Sequence, residues 1–365
     1  MLETLFYLSI FIIVYTYLGY GIVLLLLVKL KKLFVKPFIF ANDIELPSVT
    51  LLIAAYNEEN IIEAKIEDCL KLNYPQEKLE IIFITDGSSD NTSTLVAKNQ
   101  DVKLLHQDIR AGKMAAIKRA IPLVKSEIIV FTDANTFLNS DAILELVKHY
   151  QKENVGAVAG EKRIMVDSSA DASAAGEGFY WKYESALKKM DYELYSNVGA
   201  AGELFSIRTN LYQPVETDTI IDDHMIAMRI AEKGYVIAYE PNAYALEGAS
   251  ANSKEELKRK IRIAAGGIQS IIRLKKAANP FLNFTLTFQY ISHRVLRWAI
   301  TPWVMILAFF LNILVCFDSP NNVLFTLILL SQCSFYFASF LGFLLESKKV
   351  VSSYISHQIQ LRTLS

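Results

Sequence analysis

The chain has 365 residues, 52% of them apolar, with 37 Lys and Arg against 38 Asp and Glu. Charges that nearly cancel exclude a protein built to neutralise a polyanion, so no nucleic-acid partner is expected. The length accommodates one large globular domain of roughly 250 residues plus membrane segments. Three widely spaced cysteines, Cys69, Cys316 and Cys333, give neither a disulfide framework nor a zinc site.

From Leu2 to Val28 the only charged side chain is Glu3, and Trp298–Phe317 and Val323–Leu345 carry no charge at all. Each run reaches the about 20 residues that a helix needs to cross a hydrocarbon core. The first is too long for a signal peptide and lacks a basic start and a small-residue cleavage pattern. It reads as an anchor over residues 1–30. Lys29, Lys31, Lys32 and Lys36 follow it, Arg294 and Arg297 precede the second run, and Lys348 and Lys349 follow the third. Positive flanks stay cytoplasmic. This predicts a multi-pass protein of the plasma (inner) membrane, N-terminus outside, with residues from about 29 to 297 inside and a cytoplasmic tail at 346–365.

Between the anchors, residues 31–275 alternate strand and helix patterns. Ser48–Ala55, Leu79–Thr85, Val102–Leu105 and Glu127–Thr132 read as strands, and helical spacing follows at Glu58–Leu72, from Thr92 and from Ala111. The pattern predicts an α/β domain with a mostly parallel, two-sided sheet. In such sheets ligands bind beyond the C-terminal strand ends. Those ends hold Tyr56-Asn57-Glu58-Glu59, Asp86-Gly87-Ser88-Ser89-Asp90 and Asp133-Ala134-Asn135. Any one of these is ordinary cap or turn chemistry, but three acidic, small-polar ends together favour a nucleotide and metal site. Further on, the stretch from about Ala170 to Gly202 reads as a loop leading into a helix. Lys254–Lys276 reads as a basic helix with charges on several faces, and 276–297 as an amphipathic segment at the membrane interface.

The ordered set AAYNEE, TDGSSDNT, RAGK, FTDAN, GAAGELFSIR, IDDH and RKIRIAAGG resembles the membrane-bound family-2 glycosyltransferases over about residues 48 to 300. These are relatives of the cellulose, chitin and hyaluronan synthases, with a GT-A fold. The resemblance implies that Ala54, Tyr56 and Glu58 hold the nucleoside and that Asp86 hydrogen-bonds the base. Lys113, at the entry of a helix, would meet the donor's phosphates. Asp133 and Asn135 take the place of the family's metal-binding Asp-X-Asp motif. A divalent cation, Mn or Mg, would bridge diphosphate oxygens there. Asp223 is the implied base that takes the acceptor's proton, with Asp222 beside it where the family has Glu. Gly202 and Glu203 match a motif on the acceptor side. Arg262 matches the Arg of the family's Gln-X-X-Arg-Trp motif and would clamp the diphosphate. His224 is expected to pack rather than to ligate.

The sequence departs from the family at Asn135, Arg259 and Ile263, the last standing where processive members carry a sugar-stacking Trp. The implied activity is inverting transfer of a sugar from a nucleotide-sugar, UDP being the family's usual carrier, to a lipid-linked or growing saccharide. One or a few additions are expected, with processive synthesis the alternative. Asn135 and Ile263 also fit a non-catalytic nucleotide-sugar-binding scaffold. Membrane lipid is an expected partner, and many relatives continue with further membrane segments, which leaves room for a membrane partner subunit.

Overall fold

A computed structural model describes residues 1–41, 45–164, 172–248 and 253–342. At the N-terminus, α1 (Leu2–Val14) and α2 (Tyr20–Phe34) join through a π-type turn at Tyr15–Gly19 into one 33-residue helix. The chain divides into two compact units, residues 1–17 with the chain from 300 on, and residues 18–299.

The larger unit is built on an eight-stranded sheet. Its strands are β1 (Val49–Ala55), β2 (Leu79–Asp86), β3 (Lys103–Gln107), β4 (Ile128–Asp133), β5 (Thr136–Leu138), β6 (Val155–Ile164), β7 (Leu204–Arg208) and β8 (Val236–Glu247), in the order β3-β2-β1-β4-β7-β6-β8-β5. Four of the seven pairings are parallel and three antiparallel. The apolar runs of β1, β2 and β4 are continuous because both faces are covered, and side chains alternate between them. Leu52, Ile82, Ile84, Ile129 and Phe131 enter one core layer. Leu51, Ile53, Ile81, Phe83, Ile128 and Val130 enter the other. Each such burial contributes about 1.5–3 kcal/mol.

Helices α3 (Ile62–Leu70), α4 (Thr92–Ala97), α5 (Lys113–Ala120) and α6 (Ala142–Val147) connect the first strands. The helix expected from Glu58 starts only at Ile62, because residues 56–61 turn at the strand end and Asn57 takes a positive φ of 55°. The loop expected ahead of a helix between 170 and 202 is mostly helix itself, α7 (Ala172–Leu194), and 165–171 lie outside the described residues. Then come α8 (Asp222–Ala231) and α9 (Ser253–Arg273). The expected interfacial segment and second span are not separate elements. α10 (Phe284–Tyr290), a π-type stretch at Ile291–Ile300 and α11 (Thr301–Asp318) form one 35-residue helix. Pro302 lacks an N–H and crowds the preceding turn, and the helix widens ahead of it rather than breaking. A further helix spans Val323–Gly342, and residues 343–365, including the expected tail, lie outside the described ones. Leu2–Phe34, Phe284–Asp318 and Val323–Gly342 are long and apolar enough to cross a membrane.

In the smaller unit Phe6 packs with Leu311, Val315 and Phe325. The hydroxyls of Thr16 and Thr301 lie 2.9 Å apart, satisfying polar groups among apolar helices. In the larger unit α2 is tied to α7 by polar contacts. Lys31 Nζ donates to the carbonyls of Glu193 and Leu194, at 3.0 and 2.7 Å, capping the C-terminus of α7. Tyr20 donates to Asp191, which also meets His293 Nδ1.

Beside it Glu184, buried on α7, receives Arg294 at 3.0 Å, Arg297 at 2.6 Å and His293 at 3.2 Å. Burial opposes ionisation of this carboxyl, but His293, Arg294 and Arg297 together hold it well below the usual range. A depressed carboxylate contributes stability above its unfolded pKa of about 4.3, and that stability is lost as pH falls through the folded value. We predict that Glu184→Gln lowers unfolding free energy by ~3–5 kcal/mol at neutral pH, because it leaves buried cations unpaired. Thermal unfolding in detergent checks this, and the gap between wild type and variant should shrink on acidification.

Candidate active site

The strand order reverses beside β1. The chain first adds β2 and β3 on one side, then crosses to β4 on the other. Ala54, at the end of β1, stands in register with Asp133 at the end of β4. The next residue but one, Tyr56, is half-exposed and carries the Arg110 guanidinium 3.7 Å from its ring centroid.

Asp86, buried at the end of β2, accepts the N–H groups of Ala111 and Gly112 on Oδ2, at 2.8 and 2.6 Å. Its Oδ1 is buried without a hydrogen-bond partner, with Arg119 Nη1 3.6 Å away. The 110–112 loop can come this close because residue 87 is glycine. A Cβ there would fall 2.6 Å from the Arg110 nitrogen, and φ is +66°. Glu58 donates its backbone N–H to Thr92 Oγ1 at 2.8 Å, and burial, Asp133 and Asp90 raise its carboxyl pKa.

The acids converge next. Lys113, opening α5 after Gly112, places Nζ 2.9 Å from Asp133 Oδ1 and 3.7 Å from Asp222 Oδ2. Burial alone would lower its pKa, but Asp133 and Asp222 raise it above the ordinary lysine value. Asp222 and Asp223 open α8, yet no side chain caps that helix, so neither carboxylate is spent on an N-cap. A Cβ on Gly202 would sit 3.6 Å from Asp133 Oδ2 and 3.7 Å from Asp223 Oδ2, so both carboxylates border this one glycine. Burial pushes Asp223 up to about 7, Asp222 adds to the rise, and Lys113 opposes it. Asp133 is also raised, by burial first, against the pull of Lys113.

Next to Gly202, Glu203 lends its carbonyl to Thr132 Oγ1 and its Oε1 to Lys162, at 2.8 and 2.6 Å. Burial opposes its ionisation, but Lys162 holds its pKa down. Lys162, itself buried, also bonds Glu247, which lies 3.5 Å from the Asn135 amide and 3.9 Å from Arg259. Sequence reasoning missed Lys162, Glu247 and Arg119. No local motif marks them, although an ionisable residue inside the apolar strand run of β6 was a signal. Asn135 stands exposed at the rim. Arg262 lies on α9, exposed, about one turn before Gly266, which packs on Ile221 just ahead of the aspartate pair. His224 points elsewhere. It is buried against Tyr290 and Trp298, burial lowers its pKa to about 3, and its Nδ1 occupies the space a Cβ on Gly199 would need.

Among the described residues no three His, Cys, Asp or Glu side chains form a ready metal cage. A hard cation that keeps water and phosphate ligands needs only one or two protein oxygens. Asp133 Oδ2 and the Asn135 amide oxygen fit that mode, and do not fit a site made of protein alone.

Residues 50–212 match the family described as glycosyl transferase family 2. The chain is 28% identical over 313 residues to a poly-beta-1,6-N-acetyl-D-glucosamine synthase of Staphylococcus epidermidis, covering 81% of this chain and 71% of that one. It is 30% identical over 242 residues to the Staphylococcus aureus synthase of that name, covering 64% of this chain and 57% of the relative. A mannosyltransferase from Pyrobaculum calidifontis, solved with GDP-mannose and Mn2+, superposes with a TM-score of 0.65 at 22% identity, over 91% of this chain and 96% of that one. The last likeness shows the fold, GT-A. Residues 50–212, which hold the strand-end motifs, thus carry a glycosyl transferase family 2 domain, and the larger unit has the GT-A fold.

Proposed function

We propose that the protein transfers a sugar, with inversion, from a UDP-sugar to a saccharide or lipid-linked acceptor. It would do so at the cytoplasmic membrane face, in polysaccharide or glycoconjugate synthesis. The convergence of Lys113, Asp133, Asp222 and Asp223 around Gly202 carries this reading. The synthase names of the staphylococcal relatives support polysaccharide synthesis.

In this reading the acceptor oxygen attacks the anomeric carbon as the bond to the diphosphate oxygen breaks. Asp223 takes the acceptor's proton, and its raised pKa makes it a base matched to neutral pH. Lys113 and Arg262 face the charge that develops on the departing diphosphate. A divalent cation, Mn or Mg, held by Asp133 and Asn135, supplies further charge neutralisation there when bound. Tyr56, with Arg110 behind it, offers a stacking surface for the base. The buried Asp86 Oδ1 faces Arg119 at 3.6 Å but makes no hydrogen bond, so it would accept an N–H, which uracil presents at N3, where cytosine has none.

The flanking charges support a cytoplasmic position for residues 29–297. A second reading, processive polymer synthesis with a membrane partner subunit, is favoured by the relatives' names. Ile263, on α9 in place of the family's stacking Trp, favours one or a few additions.

Asp223→Asn should lower nucleoside diphosphate release by about 10²–10⁴-fold, the contribution of a general base, while donor binding stays intact. The assay is release from a nucleotide-sugar panel by detergent-purified protein with Mn, Mg or chelator and membrane lipid extract. Binding without turnover in the wild type would overturn the transferase chemistry. Competition binding should favour UDP over CDP, and Asp86→Ala should weaken UDP by about 10–100-fold, matching ~1–3 kcal/mol for a lost buried hydrogen bond. Product sizing decides the last point. Short products are expected, and long polymer made by purified protein from donor alone would establish the processive reading.

A further inference from the structure

One buried charge has no part in the proposed chemistry. Lys65 stands on the inner face of α3, beside the core residues Ile62, Ile66 and Cys69, and is 0% exposed. Burying an ammonium is costly, and an apolar side chain would fill that place at less cost, so packing does not account for it. Its Nζ donates to the Thr136 carbonyl. One turn further, Asp68 Oδ2 accepts the Leu138 N–H at 3.0 Å and stands 3.7 Å from Lys65 Nζ. Both contacts fall on β5, the last strand of the sheet, three residues long and paired with β8. Alternate residues of a strand turn their backbone groups to the same edge. Asn139 donates its N–H to Tyr244 on β8, so Phe137 and Asn139 face β8, and Thr136 and Leu138 face away from it. On that outer edge Lys65 and Asp68 supply the donor and the acceptor that a further strand would have supplied.

The strand held in this way begins straight after Asn135. Asp133 ends β4 and Ala134 is buried, so one tight turn separates the two side chains assigned to the cation. The Thr136 hydroxyl lies 3.0 Å from both the Asp133 carbonyl and the Thr132 hydroxyl, and Thr132 donates to the Glu203 carbonyl at 2.8 Å. Asp133 is placed by β4, a central strand, whereas Asn135 is placed by β5, whose outer edge depends on α3. We propose that Lys65 and Asp68 are positioning residues for donor binding. They fix β5 so that the Asn135 amide oxygen and Asp133 Oδ2 meet one divalent cation. The proposal rests on the reading that Asp133 and Asn135 hold that cation.

The test titrates Mn into the detergent-purified full chain with UDP present and reads free Mn from its electron paramagnetic resonance signal. UDP without protein is the blank. Lys65→Met keeps the bulk of the side chain and removes its charge. It should raise the Mn concentration for half-binding by about tenfold or more, the usual effect of losing an outer partner of a metal site. Asp68→Ala, at a side chain 17% exposed against 0% for Lys65, should act in the same direction, and it decides alone if Lys65→Met does not fold. UDP binding in chelator should be equal in all three proteins, because Tyr56 and Asp86 are untouched. Thermal unfolding separates positioning from stability. Variants that melt earlier yet bind Mn as the wild type does give Lys65 and Asp68 a structural role only and overturn the proposal. Weaker UDP binding in chelator would place their effect at the nucleoside and also overturn it. If the wild type with UDP takes up no more Mn than the blank, the reading of Asp133 and Asn135 as cation ligands falls, and this proposal falls with it.

Discussion

Four carboxylates, those of Asp133, Glu203, Asp222 and Asp223, influence one another within a single site, and two lysines keep that crowding tolerable. Like charges about 4 Å apart repel by roughly 4 kcal/mol at the effective dielectric of such a site. Lys113 answers Asp133 and Asp222, and Lys162 answers Glu203. Lys113 does so from the first residue of α5, where the helix dipole disfavours a cation, so the acids outweigh the dipole. Asp222 and Asp223 stand at the start of α8, where the dipole helps them. Among the described residues Asp223 has no lysine of its own within bonding distance, and burial and Asp222 raise its pKa. In the function proposed above, this unequal sharing of two cations among four acids would leave Asp223 to serve as the base.

The sheet explains how these groups meet. With both faces buried, β1, β2 and β4 are mostly apolar along their length, their buried threonines Thr50, Thr85 and Thr132 being hydrogen-bonded within the domain, and the acidic and small polar groups cluster at and just past the strand ends. The antiparallel β7 then matters. Because it runs opposite to β4, its start lies at the end of β4, and Gly202-Glu203 arrives beside Asp133. The same logic operates at the far edge, where the end of β8 pairs with the start of β5 and brings Glu247 to Asn135. A wholly parallel sheet would have sent these starts to the opposite end.

The parallel half of the fold was legible in the sequence because unbroken apolar runs such as LEIIFIT and EIIVFT encode two-sided burial in their own residues. Asp86, Lys113, Asp133 and the aspartate pair were legible for the same local reason, since each follows a strand or opens a helix. The antiparallel insertions were not. β5 has three residues, and its partner β8 lies about a hundred positions away, so no window of sequence contains the pairing. Lys162 and Glu247 were hidden likewise, each looking like an ordinary strand charge until the other is beside it. Within residues 276–297 the boundary and the pairing were hidden. His293, Arg294 and Arg297 turn inward to Glu184, and the helix from Phe284 runs on to Asp318 without the break expected at Trp298.

The departures on α9 form a consistent set. Gly266 and Gly267 are small because Ile221 and the Trp298 ring lie within 3 Å of where their side chains would begin. That close contact fixes the helix against the loop before Asp222. Arg259, in place of the family's Gln, then reaches toward Glu247 and joins Lys162 and Glu203 in one run of charge at the strand ends. Ile263 offers no ring to a sugar face. An acceptor bound there, as proposed above, would meet charged and hydrogen-bonding groups rather than a flat stacking surface. Such groups reward each hydroxyl in a fixed place, whereas a stacked ring tolerates a chain sliding past it. In the function proposed above, the exchange of Trp for Ile and of Gln for Arg would therefore pull in one direction, toward an acceptor held in place for each addition.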